Sequence, residues 1–281
     1  MSQLTRLVTR CTPLLHRWLL ALTLLLAAAV SNASTDPLAG IDEQVERVMA
    51  ELQIPGAALG VIVDGKVILA RGYGRREVGS ASRVTADTVF SIASMSKSFT
   101  SAVLATLVEE GKLDWDRPVR QYLPQFEMYD PAVTQQLTAR DLLTHRTGMP
   151  RHDFLRFSTH LQPAELVARL RYLPPNRPFR DGYQYSNIMY AVAGYVAGEV
   201  AGTNWNELVR VRLFEPLAMH NSTTSVTESL RRADHAIPHL REQGKVRTIP
   251  FYDHMKFGVA PGGAIGSSAN DMLKYLQLYL N

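Results

Sequence analysis

DTVFSIASMSKSFTSAVLATLVEEGKLDWDRPVRQYLP runs from Asp87 to Pro124. Near its start, Phe90 to Phe99 sets four serines around Lys97, in a chain with only six lysines. Downstream, Phe99, Val103, Leu104, Leu107 and Val108 recur at helical spacing, and Gly111 supplies a stop. The pattern predicts a helix from Ser94 to Glu110. On such a helix Ser94 and Lys97 share a face, about 5–6 Å apart at Cβ. A serine hydroxyl is a weak nucleophile until a base takes its proton. A lysine is such a base only when burial or neighbouring cations lower its proton affinity. Phe90, Ile92, Met95 and Phe99 offer an apolar setting for that. Spacing alone leaves a second reading open, with Ser94 as a helix N-cap and Lys97 in solvent.

Working outward, Ile41, Val45, Val48, Met49 and Leu52 predict a preceding helix that stops at Pro55-Gly56. Two β-rich runs, about Ala57–Val63 and Lys66–Arg71, flank Asp64-Gly65 and predict a hairpin. TARDLLTHRTGMP predicts a short helix and a turn. PAELVARLRYLPP predicts another helix, and the segment from Ser186 to Leu217 two more, separated by Gly202. Residues 221–257 are polar and without clear period. PGGAIGSSANDMLKYLQLYLN predicts a Gly-rich turn and a closing helix. Ser268 and Asp271 have cap spacing there, and Met272, Leu273, Leu276 and Leu280 are expected on one face.

A second chemical cluster is Tyr185-Ser186-Asn187, at a loop-to-helix junction. A tyrosine takes or passes a proton when cations stabilise its phenolate. The Asn187 amide can donate to a substrate carbonyl. Ordinary helix capping by Ser186 or Asn187 explains the same residues. Gly262 and Gly263 read as a tight turn that also lines a cleft. The histidines lack metal-ligand spacing, no G-x-S-x-G elbow occurs, and no phosphate loop with its lysine occurs. No metal and no cofactor is expected.

Taken together and in order, four segments resemble the penicillin-recognising serine hydrolases: class C β-lactamases, D-alanyl-D-alanine carboxypeptidases and related esterases and aminopeptidases. They are Asp87–Pro124, LTARDLLTHRTGMP, YQYSNIMYAVAGYVAGEVAG and APGGAIGSSANDMLKYL. The resemblance covers nearly all of residues 40–281. It implies an α+β, transpeptidase-like fold of the β-lactamase/DD-peptidase kind, a helical body with an N-terminal hairpin. It implies that Ser94 is acylated, that Lys97 assists proton abstraction, that Tyr185 is a second acid/base and that Asn187 orients substrate. His145 falls in a structural turn. The backbone N–H of Ser94 would be one oxyanion donor; the family takes the other from a strand carrying K-T-G or H-x-G. Neither pattern follows Asn187, and Lys256-Phe257-Gly258 stands in the wrong order. The resemblance implies C-terminal sheet strands that are expected to be missing from this chain. The expectation is therefore a fragment of a longer enzyme or a truncated product of little activity, against a divergent self-contained domain. The implied substrates are peptides, β-lactams or esters, with peptidase or esterase chemistry ranked above true β-lactamase activity and a non-catalytic cell-wall or partner-binding homologue as the other alternative. Peptidoglycan-derived peptides are among the implied partners.

Composition is typical of a soluble globular protein: 281 residues, 46% hydrophobic and 20% charged. The formal charge of +4 owes three units to Arg6, Arg10 and Arg17, which precede every acid. The remainder is close to neutral, so no nucleic-acid partner is indicated. Those arginines and Trp18–Val30 read as a signal peptide over residues 1–33, with the hydrolase domain over 34–281. An exported protein, periplasmic or secreted, is expected. An uncleaved signal anchor would be its one membrane attachment. The single cysteine, Cys11, lies in the leader, so the mature chain would have neither disulfides nor a cysteine nucleophile.

Overall fold

The computed structural model describes residues 37–152, 161–250 and 257–280. Residues 1–33, the predicted leader, and Lys256 lie outside the described residues. Among those described, no helix is long and apolar enough to cross a membrane. The chain divides after Val48, and the described part before that point is a turn and the start of helix α1 (Ile41–Leu52). Met49–Asn281 form a compact unit and carry everything below.

Strands β1 (Gly56–Val63) and β2 (Lys66–Gly74) make the expected antiparallel hairpin, with Val63 opposite Lys66. Its two turn residues, Asp64 and Gly65, have φ of 49° and 73°. Positive φ at both positions matches the right-handed twist of the strands, which is why Asp-Gly signals this turn. β2 runs three residues past Arg71, the expected end. The extension pairs Gly72, Tyr73 and Gly74 with Ala58, Ala57 and Gly56.

The helical body centres on α2 (Ser96–Glu109), entered through a 3₁₀ turn at Ala93–Met95. Phe99, Val103, Leu104 and Leu107 are wholly buried, as their spacing predicts. Two short capped helices follow. α3 (Pro131–Gln136) has Asp130 as cap, and α4 (Ala139–Leu143) has the reciprocal Thr138–Asp141 box. α5 (Pro163–Arg169) precedes α6 (Asn187–Ala201), which ends at Gly202 with φ 68°. α6 is apolar on most of its circumference, so it lies in the middle of the core rather than on its surface. α7 (Trp205–Val209) continues into a wider π turn through Phe214.

Residues 221–257 were expected to be irregular, and the structure corrects this. Val226–Arg231 is a helix, α8, capped by Ser225. β4 (His239–Glu242) and β5 (Lys245–Thr248) pair through a Gln243-Gly244 turn. This hairpin is mostly exposed, so it carries no apolar alternation for a sequence reading to detect. A two-residue ladder joins β3 (Phe90–Ser91) to β6 (Gly266–Ser267), tying the entrance of α2 to the Gly-rich turn.

The last helix, α9 (Ala269–Leu280), starts where Ser268 Oγ accepts the Asp271 N–H at 3.3 Å. Its buried face differs from the expected one. Leu276 and Leu280 are exposed, while Asp271, Leu273 and Tyr275 are buried. Two packings set this rotation. The Tyr275 ring stacks on Phe99 with centroids 3.8 Å apart. Leu273 covers β1 at Gly60, where an added Cβ would sit 2.7 Å from its side chain. Asp271 turns inward because it also accepts from the Asn221 N–H and the Ser222 hydroxyl.

Candidate active site

Ser94 sits on the 3₁₀ turn before α2, and its side chain caps no helix. The capping alternative is thereby set aside. The preceding residue, Ala93, has φ 44°, a region that a residue with a Cβ rarely adopts. The turn is held there from below. Ile92 N–H donates to the Ile265 carbonyl and Met95 N–H to the Ile92 carbonyl. Ser96 Oγ donates to the Ala93 carbonyl at 2.7 Å and accepts the Ile265 N–H at 3.0 Å. One strained residue thus presents Ser94 Oγ outward, while the helix behind it is fixed to the Gly-rich turn.

Tyr185 and Asn187 come from the start of α6, about ninety positions away in sequence. Ser94 Oγ lies 2.7 Å from Tyr185 Oη. Lys97 Nζ donates to Ser94 Oγ at 3.3 Å, to Asn187 Oδ1 at 2.8 Å and to the Gly262 carbonyl at 2.5 Å. Lys97 and Asn187 are buried, and Ser94 is exposed. Four sequence candidates therefore meet at one point, and Gly262 joins them through its carbonyl. A Cβ at Gly262 would lie 3.5 Å from Asn187 oxygens and 3.6 Å from Lys97 Nζ. Gly263 is buried beside it and donates its N–H to the Ala260 carbonyl at 3.0 Å.

The arrangement has a chemical direction. A lysine ammonium has three hydrogens. Those of Lys97 are shared among Asn187 Oδ1, the Gly262 carbonyl, Ser94 Oγ and the Tyr185 hydroxyl, so Lys97 is placed as a donor. The group placed to receive the Ser94 proton is Tyr185. Burial raises the tyrosine's pKa, but hydrogen bonds from Lys97 and Ser94 and the charges of Lys97 and Arg151 outweigh it. The net result is a phenol held below its ordinary value of 10.0. Lys97 Nζ is 4.8 Å from the Tyr185 ring centre, and the Arg151 guanidinium carbon is 5.1 Å from it.

His145 belongs to this frame as a support. Its ring lies 4.5 Å from that of Tyr185, and its Nδ1 accepts the Ser186 N–H at 3.1 Å. Burial and then the Lys97 charge lower its pKa from 6.5 to about 4, so it is neutral at pH 7. Gln184 N–H donates to the His145 carbonyl, and Arg180 forms a two-pronged pair with Asp141 at 2.7 and 2.8 Å. These contacts fix the loop before Tyr185 to α4. A further link joins Trp205 Nε1 to Thr100 Oγ1, which donates to the Pro261 carbonyl, one residue from Gly262.

Ser96 and Arg151 were not singled out in sequence. Ser96 is one of four serines in a ten-residue stretch, and nothing local ranks it. Arg151 follows Pro150 in a turn without periodicity. No group of three or more metal-ligating side chains occurs among the described residues.

Comparison with known proteins places the chain in a family. Residues 41–281 match the family described as Beta-lactamase. Unguisins hydrolase ungD of Aspergillus violaceofuscus is 31% identical over 270 residues, covering 91% of this chain and 47% of that protein. Penicillin-binding protein 4 of Amycolatopsis lactamdurans is 31% identical over 243 residues, covering 85% of this chain and 63% of the relative. The solved structure of an octameric penicillin-binding protein homologue from Pyrococcus abyssi superposes with a TM-score of 0.76 at 28% identity, over 87% of this chain and 56% of that one. The chain thus spans roughly half to two thirds of the length of these relatives.

Proposed function

The chain belongs to the Beta-lactamase family of serine acyl-transfer hydrolases, and on that premise we propose that it hydrolyses amide or ester bonds through an acyl-enzyme on Ser94. The observation that carries this reading is the 2.7 Å contact between Ser94 Oγ and Tyr185 Oη, with Lys97 donating to the same serine. As Oγ bonds to the substrate carbonyl carbon, its proton passes to the Tyr185 phenolate. When the bond to the leaving group breaks, Tyr185 returns that proton to the departing nitrogen or oxygen. Water then attacks the acyl carbon with Tyr185 again receiving a proton, and Ser94 is restored. Lys97 stabilises the negative charge shared between the two oxygens throughout. Asn187 holds Lys97 through Oδ1 and, in this reading, helps orient substrate. Two relatives, one named a hydrolase and the other a penicillin-binding protein, support the hydrolase reading; peptide or ester substrates belong to this proposal. An exported location, through the leader at residues 1–33, belongs to the same reading.

Labelling with a fluorophosphonate or a penicillin tests it, with the adduct mapped by mass spectrometry. The adduct is expected on Ser94 and is expected to vanish in Ser94→Ala. An adduct that persists in Ser94→Ala refutes the assignment. A folded protein that takes no label is a non-catalytic, binding member of the family.

A further inference from the structure

We infer that Arg151 is a positioning residue for Tyr185: its guanidinium, held over the tyrosine ring, biases the tyrosine towards the deprotonated form that can accept the Ser94 proton. The inference rests on the acyl-transfer reading of the site and adds to it a residue from a different segment.

The surroundings of Tyr185 show why a second cation has work to do. Ser94 and Lys97 face it from the turn and first residues of α2. His145 faces it from the turn after α4, with its ring 4.5 Å away. Tyr190 lies one helical turn along α6; its ring is 5.3 Å from Lys97 Nζ, and its hydroxyl donates to the Leu143 carbonyl. Arg151 faces the ring from the turn after Pro150, at 5.1 Å. Of these groups only Lys97 and Arg151 carry positive charge at neutral pH, because His145 is buried and neutral. Lys97 is already engaged with Ser94, Asn187 and the Gly262 carbonyl. Its field is divided among the nucleophile, the amide and the tyrosine.

Arg151 has a different geometry. It is exposed, its guanidinium lies over the ring, and the short Ser94–Tyr185 contact stands beside it. A guanidinium over an aromatic face is favourable even for a neutral ring, and more so for a ring carrying negative charge. Being exposed, its contribution is screened by salt, unlike that of buried Lys97. Arginine keeps its charge through the whole working pH range. It therefore biases Tyr185 towards phenolate.

The test measures the rate of Ser94 labelling by an uncharged fluorophosphonate against pH, for wild type, Arg151→Lys and Arg151→Gln at one ionic strength. Labelling rises with pH as Tyr185 loses its proton. In Arg151→Gln this rising limb is expected to move to higher pH by about half to one unit. On the limb that is about a 3–10-fold loss of rate at fixed pH. Arg151→Lys is expected to restore most of the displacement, and high salt to move wild type towards Arg151→Gln. In parallel, the phenolate ultraviolet absorbance of Tyr185 is isolated by subtracting Tyr185→Phe from its parent, with and without Arg151→Gln. This second measurement reads Arg151 whether or not Ser94 is acylated, so a failure of the acyl-transfer reading shows up separately. A rate lowered equally at every pH with the limb unmoved assigns Arg151 a structural role and overturns the inference. So does a Tyr185 titration that ignores Arg151→Gln.

Discussion

Replacing Ser96 by alanine removes one hydroxyl from beneath the nucleophile, and the structure allows its cost to be worked out. That hydroxyl accepts the Ile265 N–H at 3.0 Å and donates to the Ala93 carbonyl at 2.7 Å. Ser96 and Ile265 are wholly buried, so no water replaces the lost acceptor. A buried donor left unpaired costs about 1–3 kcal/mol. The Ala93 carbonyl keeps the Ser96 N–H as a partner, so its loss is smaller, about 0.5–1.5 kcal/mol. The sum, about 1.5–4.5 kcal/mol, corresponds to a fall in Tm of roughly 3–9 °C for a chain of this size. Function is affected by a second route. Ala93 is held at φ 44°, and such a conformation stores about 1–3 kcal/mol that its surroundings must oppose. Without the Ser96 clamp the turn relaxes, and Ser94 Oγ leaves its place beside Tyr185. Fluorophosphonate labelling well below the melting temperature is expected to slow on the order of 10-fold, a barrier increase of about 1.4 kcal/mol. Ser98→Ala is the control. Its hydroxyl donates to the Met95 carbonyl in an exposed bond, so its loss should fall within about 0.5 kcal/mol. If Ser96→Ala melts and labels like Ser98→Ala, the clamp described here does not hold the nucleophile.

Tyr185→Phe keeps the ring and removes the proton acceptor 2.7 Å from Ser94. Labelling of Ser94 is expected to fall by about 10²–10⁴ with little change in Tm, and a fall under threefold would place the base elsewhere. His145 is held near a pKa of about 4, against 6.5 for the free side chain. Above pH 6.5 it is neutral in both folded and unfolded chains; below it, the unfolded chain takes the proton first. Stability should therefore decline as pH drops from 6.5 towards 4, by up to roughly 3 kcal/mol. Urea titrations at both ends of that window check this, and His145→Asn should flatten the slope. Phe99→Ala removes a wholly buried ring stacked on Tyr275 and packed edge-on against Phe214. It should cost about 3–5 kcal/mol in chemical denaturation, and a loss below about 1 kcal/mol would contradict the packing.

How much of this was legible in sequence varied with the range of the interaction. The first hairpin was legible because Asp64-Gly65 satisfies its own turn geometry. The buried face of α2 was legible because every fourth or third residue repeats it. The face of α9 was misjudged, since Leu276 and Leu280 fit the same period as Leu273. Only the Tyr275–Phe99 stack and the inward hydrogen bonds of Asp271 choose between those faces. The β4–β5 hairpin escaped notice because both strands lie in solvent, where alternation has no consequence. In the site, Ser94 and Lys97 carried a local spacing, and Tyr185 and Asn187 carried another.

The sequence by itself determined the periodic elements, the turn chemistry and the types of reactive side chain, because these depend on residues within a few positions of one another. Tertiary structure decided which of those side chains touch. It brought Tyr185 to Ser94, set the Gly262 carbonyl and Asn187 on Lys97, and placed Arg151 over the tyrosine ring. It also imposed the left-handed turn at Ala93, which local preference opposes and the buried contacts of Ser96 and Ile265 enforce. Contacts between residues ninety or more positions apart leave no periodic trace in the chain, so their chemistry emerges only when the core closes around them.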